Sequence, residues 1–118
     1  MISRPTRRNQ IFIVDAFPSD YDELVPGAHD TELVFYRTGR DALRSNPEIA
    51  PLMWVVNTQL PDMNGTDLQA MLSTRGCSSP FALIGDEYRV EDELRARSAG
   101  AALYFVKPLH GEMLFASC

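Results

Sequence analysis

The sequence predicts an α/β domain built on a doubly wound, five-stranded parallel sheet. Three observations predict it. Five short apolar runs recur along the 118 residues, none of them alternates apolar with polar residues, and the stretches between them can hold helices. Continuous apolar runs suit strands covered on both faces, the condition of a parallel sheet flanked by helices. Strands alternating with helical crossovers then give a doubly wound sheet.

The elements follow in order. A basic stretch from Met1 to Arg8 leads through Asn9 and Gln10 into Ile11-Phe12-Ile13-Val14, so residues 1–10 read as a leader and 11–118 as one domain. A signal peptide would need a longer apolar stretch and a small-residue cleavage site, so a cytoplasmic protein is expected. A short first helix is expected from Ser19 to Val25, ended by Pro26-Gly27. The second and third strands are Leu33-Val34-Phe35-Tyr36 and Leu52-Met53-Trp54-Val55-Val56. Pro61-Asp62-Met63-Asn64-Gly65 has its glycine at the wrong offset for a calcium loop and reads as a turn. It leads into a helix whose buried stripe is Leu68, Met71 and Leu72.

Phe81-Ala82-Leu83-Ile84 is the fourth strand. The helix after it shows a weaker stripe of Val90, Leu94 and Ser98, with Glu91–Arg95 and Glu93–Arg97 as i,i+4 pairs. Asp86, Glu87, Glu91, Asp92 and Glu93 crowd its front, where the helix dipole favours anions, and read as helix chemistry rather than a metal site. Leu103-Tyr104-Phe105-Val106 is the fifth strand, and only a short helix fits after Pro108. The ending at Phe115-Ala116-Ser117-Cys118 raises the expectation of a fragment whose last helix runs on into an output domain.

Composition narrows the function. The formal net charge of -5 argues against broad nucleic-acid binding, which needs a cationic face. No apolar run approaches the ~20 residues of a membrane span. Cys77 and Cys118 match no metal or redox spacing and read as free thiols.

In an open α/β sheet, chemistry gathers at the carboxyl ends of the strands. Here the first strand ends at Asp15-Ala16, the third at Asn57-Thr58-Gln59, the fourth at Gly85-Asp86 and the fifth at Lys107-Pro108. From Ile11 to Pro108 the chain resembles the receiver domain of two-component response regulators. Asn57, Pro61 and Gly65 fall in the register of that family's acceptor aspartate, proline and glycine. Gly100-Ala101 precedes Lys107-Pro108 at the family's interval, and the hydroxyl position of the fourth strand falls on Gly85. The resemblance implies a flavodoxin-like sheet of order 2-1-3-4-5 with a truncated last helix.

The departures bear on chemistry. A receiver needs a carboxylate nucleophile, but Asn57 carries an amide whose lone pair is delocalised. The family's metal site would draw on two acids after the first strand, the acceptor, and the carbonyl of Gln59; only Asp15 remains acidic, because Ala16 and Asn57 are neutral. One unit-charge contact at about 4 Å carries roughly 4 kcal/mol at an effective dielectric of 20. No metal is therefore expected, with Asp15, Asn57 and Gln59 as weak candidate ligands and Mg2+ a cofactor only for a conventional switch. Gly85 removes the phosphoryl-binding hydroxyl. Lys107, the chain's single lysine, is expected to pair with Asp15 and to hydrogen-bond the Asn57 side-chain oxygen in a neutral cluster. Tyr104, the family's rotating aromatic, is expected to rest inward over Gly85; the plain alternative is a half-buried edge tyrosine.

The expected function is a non-enzymatic signalling module, a receiver whose output is independent of phosphorylation. It would bind a protein through the face of the fourth helix, fifth strand and last helix, with contacts from Arg89, Arg95, Tyr104 and the exposed part of Leu109 to Leu114. An attached output domain or a homodimer are the further partners considered. The alternative is a conventional receiver switched by aspartyl phosphorylation, with Asn57 an altered acceptor. A small-molecule sensor in the vacated pocket is a third reading, although Asp15-Ala16-Phe17-Pro18-Ser19 lacks the glycine-rich character of a flavin phosphate loop.

Overall fold

A computed structural model describes residues 10–24, 31–45 and 50–116. The strands are β1 (Gln10–Val14), β2 (Glu32–Tyr36), β3 (Met53–Asn57), β4 (Phe81–Gly85) and β5 (Leu103–Val106). They form one parallel sheet in the order β2-β1-β3-β4-β5. The helices are α1 (Gly39–Ser45), α2 (Gly65–Thr74), α3 (Val90–Ser98) and α4 (Gly111–Ala116). The leader expected over residues 1–10 lies outside the described residues, save that Gln10 already belongs to β1.

The continuous apolar runs have the cause inferred for them. Successive side chains of a strand point to opposite faces, and here both faces are covered. Ile11, Ile13, Met53, Val55, Ala82 and Ile84 pack with Tyr21, Leu24, Leu109 and Leu114 on one side. Phe12, Val14, Trp54, Val56 and Leu83 pack with Ala42, Leu68, Leu72 and Ala96 on the other. β1, β3 and β4 are interior strands and almost wholly buried, whereas β2 and β5 are half-exposed edges.

Four local expectations are corrected. The first helix is only a 3-10 turn, Pro18–Tyr21; Pro18 supplies a helical φ for one turn, and Pro26-Gly27 lies outside the described residues. In α2, Leu68 and Leu72 are buried but Met71 faces solvent. In α3 the predicted stripe is on the wrong side: Val90 and Leu94 are 54% and 59% exposed, Ser98 is exposed too, and Ala96 is the residue buried. At 3.6 residues per turn Ala96 lies roughly 200° round from Leu94, so a small residue makes the contact and the large ones point away. Glu93–Arg97 pairs as expected at 3.1 Å, but Arg95 reaches Asp92 at 3.5 Å instead of Glu91.

Helix ends are closed by side chain and backbone. Asp62 accepts the Gly39 and Arg40 N–H groups, both at 2.9 Å, at the start of α1. Gly100 takes φ +88° after α3, where the Ala101 N–H donates to Ala96 O at 3.0 Å and the Gly100 N–H to Arg97 O at 3.1 Å. That pair of bonds is a Schellman ending, which calls for glycine. The Gly100-Ala101 element read from the sequence is thus a helix stop that aims the chain into β5.

The interior holds unmatched polar atoms. Among the described residues, Trp54 Nε1, Gln69 Oε1 and Tyr104 Oη are buried without a hydrogen-bond partner. An unsatisfied buried group costs about 1–3 kcal/mol.

Candidate functional site

Backbone bonds align the carboxyl ends of the strands. The Asp15 N–H donates to Tyr36 O, the Thr58 N–H to Ile84 O and the Lys107 N–H to Gly85 O, each at 2.9 Å. Asp15, Asn57, Gly85 and Lys107 therefore converge at one end of the sheet. The Lys107–Pro108 peptide is cis.

Asp15 is 1% exposed. Its Oδ1 accepts the Phe17 N–H at 2.9 Å, while Oδ2 accepts the Tyr21 hydroxyl at 2.7 Å, Asn57 Nδ2 at 3.0 Å and Lys107 Nζ at 2.9 Å. Asn57, also buried, turns its nitrogen to the acids: Nδ2 donates to Asp15 Oδ2 and Asp86 Oδ1, both at 3.0 Å. Its Oδ1 accepts the Gln59 backbone N–H at 2.9 Å. Lys107 Nζ lies 2.7 Å from Asp20, 2.9 Å from Asp15 and 2.9 Å from Asp86.

Two expectations for Lys107 change here. It pairs with Asp15 but not with the Asn57 oxygen, because the amide turns its nitrogen toward Asp15 and Asp86 and its oxygen toward the Gln59 N–H. The cluster is also not neutral: three carboxylates surround one ammonium. Asp20 and Asp86 are site residues that the sequence reading missed. The sequence places Asp86 both at the end of the fourth strand and at the helix front, but does not show that it faces Lys107. Asp20 reaches the pocket only because the chain after β1 turns back through Pro18–Tyr21.

The electrostatics follow from these contacts. Burial would pull the Lys107 ammonium down, but hydrogen bonds to Asp20, Asp15 and Asp86 outweigh it and hold the group above its usual range. The Lys107 hydrogen bond, with help from Asn57, holds Asp86 below the usual carboxylate range. Burial, and then the Asp15 carboxylate, pushes the Tyr21 hydroxyl far up. Lys107 also lies 5.6 Å from the Tyr21 ring centroid.

Gly85 ends β4 beneath Tyr104. A Cβ at Gly85 would sit 2.8 Å from Tyr104 Oη and 3.1 Å from Glu87 O. The tyrosine thus lies inward over a position that only glycine leaves free. Burial raises the Tyr104 hydroxyl above its usual range. The Tyr88 ring meets Tyr104 edge-on at 6.3 Å. Ala16 is half-buried and Gln59 exposed.

The expected partner face corresponds to α3, β5 and α4, one helix fewer because the first is a 3-10 turn. Arg89 and Arg95 are exposed, and Arg89 pairs with Glu87 at 3.3 Å. Leu109 is not on this surface: at 3% exposure it is part of the core, with Leu114 beside it, and Met113 is the exposed apolar residue of α4. Leu109 follows Pro108 and turns inward to join the core cluster of Ile11, Ile13, Met53 and Val55. Among the described residues no helix is long and apolar enough to cross a membrane, and no group of three His, Cys, Asp or Glu is arranged to hold a metal ion.

No protein-family model matches the chain, and no curated protein matches it. Solved structures do, response-regulator receiver domains among them. The beryllofluoride-activated DrrB receiver domain aligns with a TM-score of 0.78 at 24% identity, over 92% of each chain. A CheY-like receiver domain protein from Methanospirillum hungatei aligns with a TM-score of 0.75 at 21% identity, over 92% of this chain and 88% of its own. The whole DrrB of Thermotoga maritima, an OmpR/PhoB homolog, is 27% identical with a TM-score of 0.72, and this chain spans 49% of it. The fold is that of CheY-like receivers.

Proposed function

We propose that this chain is a receiver-type signalling module of a two-component pathway that works without phosphorylation, through contact with a protein partner. The observation that carries this reading is the hydrogen bonding of Asn57. Its amide nitrogen is committed to Asp15 and Asp86 and its oxygen to the Gln59 N–H. A neutral amide already satisfied on both sides has neither the charge nor the free lone pair of a nucleophile.

The donor set also fits magnesium poorly. Magnesium takes oxygens in near-octahedral array, whereas the space between Asp15 and Asp86 is crossed by the Asn57 N–H bonds and the Lys107 ammonium. Lys107 supplies as a tethered cation the charge compensation that a divalent ion would otherwise bring. No phosphoryl or metal step belongs to this mechanism, and the module is not an enzyme. The partner surface is the α3–β5–α4 face, with Arg89, Arg95, Tyr88 and the outward Val90 and Leu94 as contacts, available to an attached output domain or another protein. The location in keeping with such a module is the cytoplasm.

The test is incubation with acetyl phosphate and magnesium, read by intact mass. No added phosphoryl is expected, and beryllofluoride with magnesium should leave the amide spectrum of the pocket unchanged. A stable mass gain of one phosphoryl group, or saturable beryllofluoride binding at Asn57, overturns the reading in favour of a conventional switch.

A further inference from the structure

The outward side of α3 turns an apolar stripe to solvent. Val90 and Leu94 stand one turn apart and are both more than half exposed, while Ala96 faces the core. Tyr88, just before the helix, is exposed as well, and its hydroxyl donates to Glu93 at 2.8 Å.

The charges around this stripe have a pattern that matches its own reverse. At roughly 100° per residue, Glu91 and Arg95 lie on one flank of Leu94 and Glu93 and Arg97 on the other. Each flank therefore carries one acid toward the front of the helix and one base toward its end. Two such helices laid antiparallel, face to face about a two-fold axis, bring each flank against its own copy, and acid then meets base on both. The registers of the two flanks agree to within about one residue, or 1.5 Å of rise, of an axis at Leu94. Parallel pairing would set acid level with acid and base with base. A partner of a single charge sign would be attracted at one end of α3 and repelled at the other. Glu91 is exposed, and Arg95 reaches Asp92 within the chain, so the Glu91 carboxylate keeps its capacity for a second copy.

We propose that α3 binds α3 of a second copy of this chain, antiparallel about a two-fold axis at Leu94. Val90 and Leu94 form the centre of the contact, and Glu91 meets Arg95 of the second copy on its rim, twice over by symmetry. A self-complementary patch of this kind closes as a dimer. The pairing names a partner for part of the α3–β5–α4 face, and it rests on the phosphorylation-independent reading in being constitutive. Nine residues of helix are about 13 Å long. The contact is therefore smaller than the ~1,200 Å² of stable complexes, and a weak dimer with a Kd on the order of 100 μM is expected.

The test is sedimentation equilibrium of the full chain, without phosphodonor or magnesium. Dimer should grow in between about 10 μM and about 1 mM. Leu94→Arg sets two guanidinium groups at the axis and should weaken association at least about tenfold. Its fold should be unaffected, because the side chain is exposed and the chain is monomeric at the micromolar concentrations of an unfolding measurement. Glu91→Arg and Arg95→Glu should each associate several-fold more weakly than the wild type, since each sets like charges together on the rim. An equimolar mixture of these two variants should regain wild-type association, because each copy supplies the charge that the other lacks. A structural role of either side chain would give no such recovery. The pairing is overturned if the wild type stays monomeric up to about 1 mM, if Leu94→Arg associates equally, or if the mixture associates no more than its components. A wild-type monomer that also gains no phosphoryl group from acetyl phosphate overturns the pairing alone. Association that requires acetyl phosphate and magnesium overturns the phosphorylation-independent reading as well.

Discussion

At the carboxyl ends of the strands the buried Asp15 and Asn57 are each partnered several times over, whereas at the amino ends Trp54 and Gln69 each leave one atom unmatched. The first region is charged and closed around a single ammonium; the second is uncharged and open. Residues that would serve catalysis in one arrangement hold loops together in another, and what decides between them is whether their lone pairs and protons are already spent. A pocket with its hydrogen-bonding capacity used up is a fastener.

The sharpest way to break the contrast is to remove the ammonium. Lys107→Met leaves Asp15 buried beside Asp86 with no cation, and should cost about 3–5 kcal/mol, as deletion of one partner of a buried pair does. Urea denaturation would read it, and restoration of most of the loss in Lys107→Met combined with Asp15→Asn would assign the cost to the orphaned charge.

A smaller effect is expected from Gly85→Ala, whose methyl group would meet Tyr104 Oη and Glu87 O. About 1–3 kcal/mol is the usual cost of overpacking. The same substitution in a Tyr104→Phe background should cost less, because the nearest clashing atom is gone. Equal costs in both backgrounds, measured by thermal unfolding, would show that Tyr104 does not lie over Gly85.

The pH profile should be milder and two-sided. Asp86 is held below its usual range, so the stability it contributes is complete above about pH 4 and is lost as pH falls through its folded value. Lys107 and Tyr21 are held above theirs, so their contribution is complete below about pH 10 and is lost as pH rises. Lys107→Met should remove the acid-side contribution of Asp86 while keeping the alkaline slope due to Tyr21. Least of all should happen with Leu94→Arg, within about 0.5 kcal/mol because the side chain is exposed. A large loss there would restore Leu94 to the core.

Strands were legible in the sequence because continuous apolar runs have few alternatives in a chain this short. The site was legible where it depended on strand ends: Asp15, Asn57, Gly85 and Lys107 follow their runs directly, so the sheet brings them together. Asp20 and Asp86 were hidden, since their approach to Lys107 depends on how the loops after β1 and β4 fold back. The face of α3 was misread because periodicity weighs residues by size, and there the sheet is met by Ala96. Leu109 reads in the sequence as part of the partner face with the rest of Leu109 to Leu114, but the chain turns inward at once after Pro108.

The position of Leu114 has a consequence for synthesis. This residue of α4, the last described element, is completely enclosed with Ile11, Ile13 and Tyr21 from the start of the chain. During translation, that side of β1 therefore stays uncovered by α4 until the chain as far as Leu114 has left the ribosome. Between the emergence of β1 and that of Leu114 the nascent chain carries a sticky, half-roofed layer, a state in which association with other chains competes with folding.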